Sequence, residues 1–271
     1  MSPLWTERLE IALTPRRIAI ARHQRMTDRV LASRTFTCPE LDEGPVWQAA
    51  LDTLAQALHE RAWQRAGAQL VLSNHFVRYQ VLPRPRAVRA PAELGAYVKH
   101  RLAATFGEVA HTWAVRTSRN GNDSILVAAV DQALVDQLRD TLRAAEVRIT
   151  SIQPFLMAAF NRVRNRFGRD ALWYVLIEPG KSCLAAIRDG NWVEIETRRG
   201  DESLSALPVL LEQTAAGNDI VMDIKRVVVD APNLQHVTMP QREGWTFVDA
   251  RSLQRRRERA PFSTMKLALA G

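Results

Sequence analysis

Apolar and polar residues alternate at period two at the start of the chain, where "LEIAL" (9–13) and "RIAIAR" (17–22) flank a Thr-Pro turn. That pattern predicts a β-hairpin, with a third strand in "VLASRTFTCP" (30–39). After the loop "PELDEGP" the period lengthens. Val46, Ala50, Leu51, Leu54, Ala57, Leu58 and Ala62 recur at helical spacing, with Pro45 suited to a first turn and Gly67 expected to stop the helix. "QLVLSNHFVRYQVLP" (69–83) reads as two strands divided at Ser73-Asn74. A Pro/Arg stretch at 83–91 then marks a change of unit.

Beyond it the order is helix "AELGAYVKHRLAATFG", strand "HTWAVRTS", turn "RNGND", strand "SILVAAV", helix "QALVDQLRDTLRAAE" and strand "VRITSIQP". Asn120-Gly121 is a strong hairpin signal, and the α-β-β-α-β order predicts a compact α+β insert. The helix "PFLMAAFNRVRNRFG" follows. A meander then restarts with "ALWYVLIEP", "KSCLAAIRDG" and "NWVEIETRR", leading to helix "ESLSALPVLLEQTAAG", which Pro208 is expected to bend. "IKRVVVDAP" and "GWTFVDA" read as strands, before the apolar tail "PFSTMKLALAG". Three strands and a helix thus recur at both ends, which predicts an α/β protein with a duplicated plan and an insert in its first half.

Composition changes this picture little. With 271 residues, 46% hydrophobic and 24% charged, the chain has the balance of a water-soluble globular protein. No window reaches the ~18 uninterrupted apolar residues of a membrane span, and no signal peptide is expected. Two cysteines, Cys38 and Cys183, match no metal or redox spacing and are expected to be inert thiols of a cytoplasmic chain. The formal charge is +8, but the arginines are scattered, with one dense cluster at 251–261. No RNA-binding motif, zinc spacing or helix-turn-helix accompanies it, so no DNA or RNA partner is expected.

One motif invites a chemical reading. Glu178-Pro179-Gly180-Lys181-Ser182 ends in the letters of a phosphate-binding P-loop. A P-loop needs an earlier glycine, where this chain has Val175, and a helix afterwards, where it has a strand pattern. A hairpin turn is the plainer reading, with Glu178 as a solvated turn carboxylate. The six histidines lack metal-ligand spacing, and no G-x-S-x-G is present, so neither a metal nor a serine nucleophile is expected. Six of the seven tryptophans lie within periodic elements and are expected in packing. Trp5 is expected at the surface.

The framework phrases "LVLSNHFVRYQVLP", "ELGAYVKHRLAATFG", "ITSIQPFLMAAFNRVR" and "GNWVEIETRRG", together with the duplicated plan, resemble the actin-like superfamily. The insert is similar to the small extra subdomain of FtsA and PilM. The local wording is closest to the type IV pilus protein PilM and the cytoplasmic part of the type II secretion protein GspL. The resemblance implies an actin-like (ribonuclease H-like) α/β fold. Residues 1–84 and 154–170 would form the first half, 85–153 the FtsA/PilM-type insert, and 171–271 a reduced second half. GspL has a membrane span after this region. Its absence here favours a freestanding PilM-like arrangement.

In that superfamily two phosphate loops of the type Asp-x-Gly sit at the hairpin tips. Here the first tip, Leu13 to Arg17, offers Thr14 and Arg16 but neither Asp nor Gly. The second offers Glu178, Gly180, Lys181 and Ser182. Near the expected adenosine loop stands Asp230-Ala231-Pro232-Asn233, without paired glycines. The resemblance therefore implies remnant nucleotide loops, no catalytic residues and no cofactor. ATP with Mg²⁺ enters only under the alternative of a divergent actin-like ATPase or small-molecule kinase. The leading expectation is a non-catalytic cytoplasmic scaffold at the inner membrane, in a pilus or secretion platform. A PilN-like bitopic membrane protein would be its partner, with an assembly ATPase as a second candidate. By resemblance Arg78, Tyr79 and Arg84 would line the groove that takes the partner's tail. Membrane contact would run through that partner.

Overall fold

The computed structural model describes residues 7–24, 27, 29–88, 90–121, 123–200, 204–216, 218–234, 238–253 and 264–269. Trp5, His236 and residues 254–260 of the arginine-rich segment lie outside the described residues. The chain forms two compact units, the first from Met1–Val77, Ala133–Ala158 and Arg256–Gly271, the second from Arg78–Gln132 and Ala159–Arg255.

In chain order the elements begin with β1 (Glu7–Leu13), β2 (Arg17–Gln24), β3 (Val30–Thr37), α1 (Gln48–Ala57), β4 (Gly67–Leu72) and β5 (Val77–Pro83). The insert region contributes α2 (Pro91–Phe106), β6 (Trp113–Asn120), β7 (Ser124–Asp131), α3 (Gln132–Ala144), β8 (Arg148–Pro154) and α4 (Phe155–Val163). The rest is β9 (Leu172–Glu178), β10 (Lys181–Arg188), β11 (Asn191–Arg199), α5 (Leu207–Ala215), β12 (Arg226–Asp230), β13 (Thr246–Asp249), α6 (Ala250–Leu253) and α7 (Thr264–Leu269).

The first unit is built on a five-stranded sheet ordered β3-β2-β1-β4-β8. β1, β2 and β3 form an antiparallel meander, while β4 and β8 run parallel to β1. Leu9, Ile11, Leu13, Ile18, Ile20, Leu70 and Leu72 on its strands are fully buried. Two groupings differ from the sequence expectation. β8 was expected in the insert, but it pairs with β4. A parallel neighbour has to be reached by a crossover, and α3, with Leu134, Val135, Leu138 and Leu142 buried, is the last leg of that crossover. The apolar tail was expected in the second half. It forms α7, which packs on β1 and β2 through Met265, Ala268 and Leu269, and Thr264 donates from its hydroxyl to Glu10 Oε2 at 2.6 Å. Those apolar residues, three and four apart, make a stripe that needs a sheet to cover it.

Helix α1 ends earlier than its periodicity suggests. Gln64 Nε2 donates to the carbonyls of Leu58 and His59, and Arg65 turns the chain at φ 55°. Gly67 therefore opens β4 rather than stopping a helix, and a side chain there would meet Thr150 at 3.3 Å.

The second unit holds two sheets. β5-β7-β6 is three-stranded and covered by α2, around Leu82, Val98, Leu102, Ile125, Val127 and Ala129. β11-β10-β9-β12-β13 repeats the first sheet's plan, with an antiparallel meander continued by parallel strands. One of its faces packs Trp173, Val175, Leu184, Ala186, Val227 and Val229 against Leu207, Leu211 and Ala215 of α5. Pro208 does not bend this helix. It stands in the first turn, where its missing N–H costs nothing.

The β6–β7 hairpin predicted from Asn120-Gly121 is present, with Gly121 at φ 68°. Its tip is tied to β11. Asn120 accepts from the Trp192 amide at 2.8 Å and donates to the Trp192 carbonyl and to Ser124 Oγ.

Candidate functional site

The first hairpin tip is closed on itself. The Thr14 amide and hydroxyl both donate to the Arg17 carbonyl at 2.9 Å, and the Arg17 amide donates back to Thr14 Oγ1 at 3.1 Å. Pro15 has no N–H, and the Arg16 carbonyl accepts from the Cys38 amide at 2.8 Å. Arg16 itself is exposed and Thr14 buried. A phosphate loop of the actin-like kind needs several converging backbone N–H groups. Here two of them already serve the turn and a third does not exist.

The second tip is a two-residue turn, Pro179-Gly180, joining the paired residues Glu178 and Lys181. Pro at the first central position and Gly at φ 73° at the second are the signature of a type II turn. The three P-loop letters are then split by the strand's period of two. Ser182 lies opposite Ile177 and shares the apolar face with Leu184 and Ala186. Lys181 lies on the other face with Glu178. In a P-loop the lysine serves the phosphates and the hydroxyl their Mg²⁺ in one site, and these two side chains lie on opposite faces of a strand.

The face that carries Lys181 is buried and holds polar groups among apolar ones. Cross-strand register places Glu178 and Lys181 opposite each other on β9 and β10, and Arg199 opposite Lys181 on β11. Glu178 is 2% exposed and Lys181 5%, so Glu178 is not the solvated turn carboxylate expected from sequence. β9 is buried along its whole length and carries the carboxylate in with it. Burial, and then the Arg78 guanidinium, hold the Lys181 ammonium down to about 8 from its ordinary value, against the opposing pull of Glu178. Arg78 is itself lowered, first by burial and then by Arg199. Thus Arg78 of β5, named in the groove, and Lys181, named in the loop remnant, belong to one cluster that Arg199 completes. Tyr79, on β5, is buried. Arg84 follows β5, and its amide donates to the Asp123 carbonyl at 2.8 Å. Thr14 and Arg16 belong to the other unit.

A second polar group on this face gathers Asp230, noted in the sequence beside the expected adenosine loop, with Tyr174 and Arg162, which the sequence did not single out. Asp230, at the end of β12, lies opposite Leu176 and is 1% exposed. Tyr174 donates its hydroxyl to Asp230 Oδ2 at 2.8 Å, and Arg162 Nη2 approaches the same oxygen at 3.5 Å. Burial, followed by the adjacent carboxylate, pushes the Tyr174 phenol well up and keeps it a donor. The sequence signal was Asp230 in the stretch Asp230-Ala231-Pro232-Asn233 beside the expected adenosine loop. Nothing in the spacing pointed to Arg162 or Tyr174. The two cysteines are free and buried, and burial raises both thiols.

No family model matches the chain, and no curated protein does. Solved structures do. The cytoplasmic domain of EpsL, an inner-membrane component of the type II secretion system of Vibrio cholerae, is 12% identical with a TM-score of 0.59, covering 97% of this chain and 92% of that one. PilM, in the PilM–PilN type IV pilus biogenesis complex, is 14% identical with a TM-score of 0.64, covering 96% of each chain. A Bacteroides thetaiotaomicron protein of actin-like ATPase fold and unknown function is 10% identical, with a TM-score of 0.55 over 92% and 93%. The chain therefore has the actin-like fold. Among the described residues, no helix is long and apolar enough to cross a membrane.

Proposed function

We propose that this protein is a non-catalytic cytoplasmic scaffold of a type IV pilus or type II secretion-like assembly platform, and that it binds the cytoplasmic tail of a bitopic inner-membrane partner. The fold likeness, nearly end to end, to proteins of both systems supports the system. The observation that carries the non-catalytic role is the pair of hairpin tips. One has its amides committed to its own turn, and the other has its lysine and serine on opposite faces of a strand. Arg78, Tyr79 and Arg84 are the residues we assign to the tail, and the membrane is reached through that partner.

The test is co-expression with a PilN-like bitopic inner-membrane protein of the same genome. Co-purification that disappears when the partner's tail before its membrane span is deleted is expected. Co-purification that survives the deletion would reject the tail as the contact. The alternative, a divergent ATPase, draws on one observation, the buried carboxylate Glu178 beside Lys181. It requires ATP hydrolysis that Glu178→Ala abolishes.

A further inference from the structure

A cleft of about 360 Å³ opens between the last turns of α3 and the start of β8. Arg139, Arg143, Glu146, Val147, Arg148 and Ile149 line it, all in the first compact unit, whereas Arg78, Tyr79 and Arg84 belong to the second. Val147 is buried and Ile149 half-buried. With the aliphatic stems of the arginines they give the cleft an apolar floor. Among the described residues β8 is an edge strand, and no residue of β4 lines the cleft, which therefore opens at the free margin of the sheet.

The backbone beside the cleft is held in a costly conformation. Glu146 has φ 56° and Arg65 φ 55°, where glycine is the less strained residue. Glu146 is the left-handed cap of α3. The Val147 amide donates to the Leu142 carbonyl at 2.8 Å, and the Glu146 amide to the Arg143 carbonyl at 3.0 Å. Both non-glycine side chains are used, because Arg65 Nε and Nη2 donate to the Glu146 carboxylate at 3.1 and 3.4 Å. The acidic residue of the lining is thereby engaged on both oxygens.

Charge then selects the ligand. Arg139 pairs with Asp136 at 3.1 Å and Arg143 with Asp140 at 2.9 Å, each three residues back on the exposed flank of α3. Exposed pairs of this kind contribute little and exchange readily. Arg148 is exposed and has no ion pair among the described residues. One guanidinium is thus left over beside an apolar floor, and its planar fork matches a carboxylate.

We infer that this cleft is a binding site for a monocarboxylate carried on a short apolar body, with the carboxylate on Arg148 and the body over Val147 and Ile149. A peptide chain end with an apolar last residue carries that chemistry, and so does a free aliphatic acid.

The experiment titrates the isotope-labelled full chain with hexanoate, hexanol, inorganic phosphate, and acetyl-Ala-Leu with a free or an amidated end, and reads amide chemical shifts. Hexanoate or the free-ended peptide is expected to saturate shifts centred on Val147, Arg148 and Ile149 at about millimolar concentration, with hexanol and the amidated peptide about tenfold weaker. Arg148→Gln and Arg143→Gln, each verified as folded by its thermal melt, are expected to weaken hexanoate binding, Arg148→Gln by about tenfold and Arg143→Gln by less. A free-ended peptide that outbinds hexanoate assigns the site to protein chain ends, and the reverse assigns it to free acids. Both results uphold the inference. Equal binding of hexanoate and hexanol overturns it, as does hexanoate binding that Arg148→Gln leaves unchanged. Phosphate that shifts the same amides as strongly as hexanoate makes the cleft a general anion site and also overturns it. So does the absence of shifts with every probe at about 10 mM.

Discussion

The two hairpin tips occupy equivalent places in two sheets of the same plan, yet they spend their polar groups differently. At the first, a threonine hydroxyl and three backbone groups satisfy one another around Pro15, and no ionisable group is buried in the turn. At the second, the backbone turns on Pro179 and Gly180, and the flanking residues carry a carboxylate and an ammonium into the interior. A neutral, self-satisfied turn is a structural device, whereas a turn that buries charge carries a desolvation cost that its neighbours must offset. The same duplicated frame thus buries charge at one tip and closes a neutral turn at the other.

The strongest way to break this comparison is at the polar face of the second sheet. Asp230→Ala leaves Arg162 and the Tyr174 hydroxyl without their buried carboxylate, and should cost about 3–5 kcal/mol in urea denaturation. A loss below 1 kcal/mol would mean that the face is solvated. Next comes the turn itself. Gly180→Ala places a side chain at φ 73° and should cost about 1–2 kcal/mol, while a neutral result would refute the turn geometry. At the first tip, Thr14→Val removes the hydroxyl that both donates to and accepts from Arg17, and about 1 kcal/mol should be lost.

A titration sharpens the contrast through pH. Lys181 has its ammonium held down to about 8 in the folded chain, against 10.5 when unfolded. Between those values the unfolded chain binds the extra proton, so stability should rise with pH across the window. Below pH 8 both states are protonated and the contribution is constant and unfavourable. Lys181→Met should flatten the rise in denaturation midpoints measured from pH 7.5 to 10.5, and a profile identical to that of the unaltered chain would show that Lys181 is not buried as described.

Much of the frame was legible because strand alternation, Thr-Pro, Pro-Gly and Asn-Gly turns are local signals. The meanders and the β6–β7 hairpin needed nothing beyond a few neighbouring residues. What escaped was long-range. Residues 148–154 read as a strand, but only their register with β4 shows which sheet they join. Gly67 read as a helix stop, because the close approach of Thr150 is invisible along the chain. At the site, Glu178, Gly180, Lys181 and Ser182 were named from their letters, whereas the split between Lys181 and Ser182 follows from the pleat. The Tyr174–Asp230–Arg162 group combines three separate elements, and Arg199 acquires its place only by standing opposite Lys181.

Calorimetric titration of the full chain with ATP·Mg²⁺, followed by assay of released phosphate, tests most directly the proposal that these tips carry no nucleotide chemistry. No saturable heat up to millimolar ATP and no phosphate above the spontaneous rate are the predicted result. Micromolar binding accompanied by hydrolysis that Glu178→Ala abolishes would contradict it.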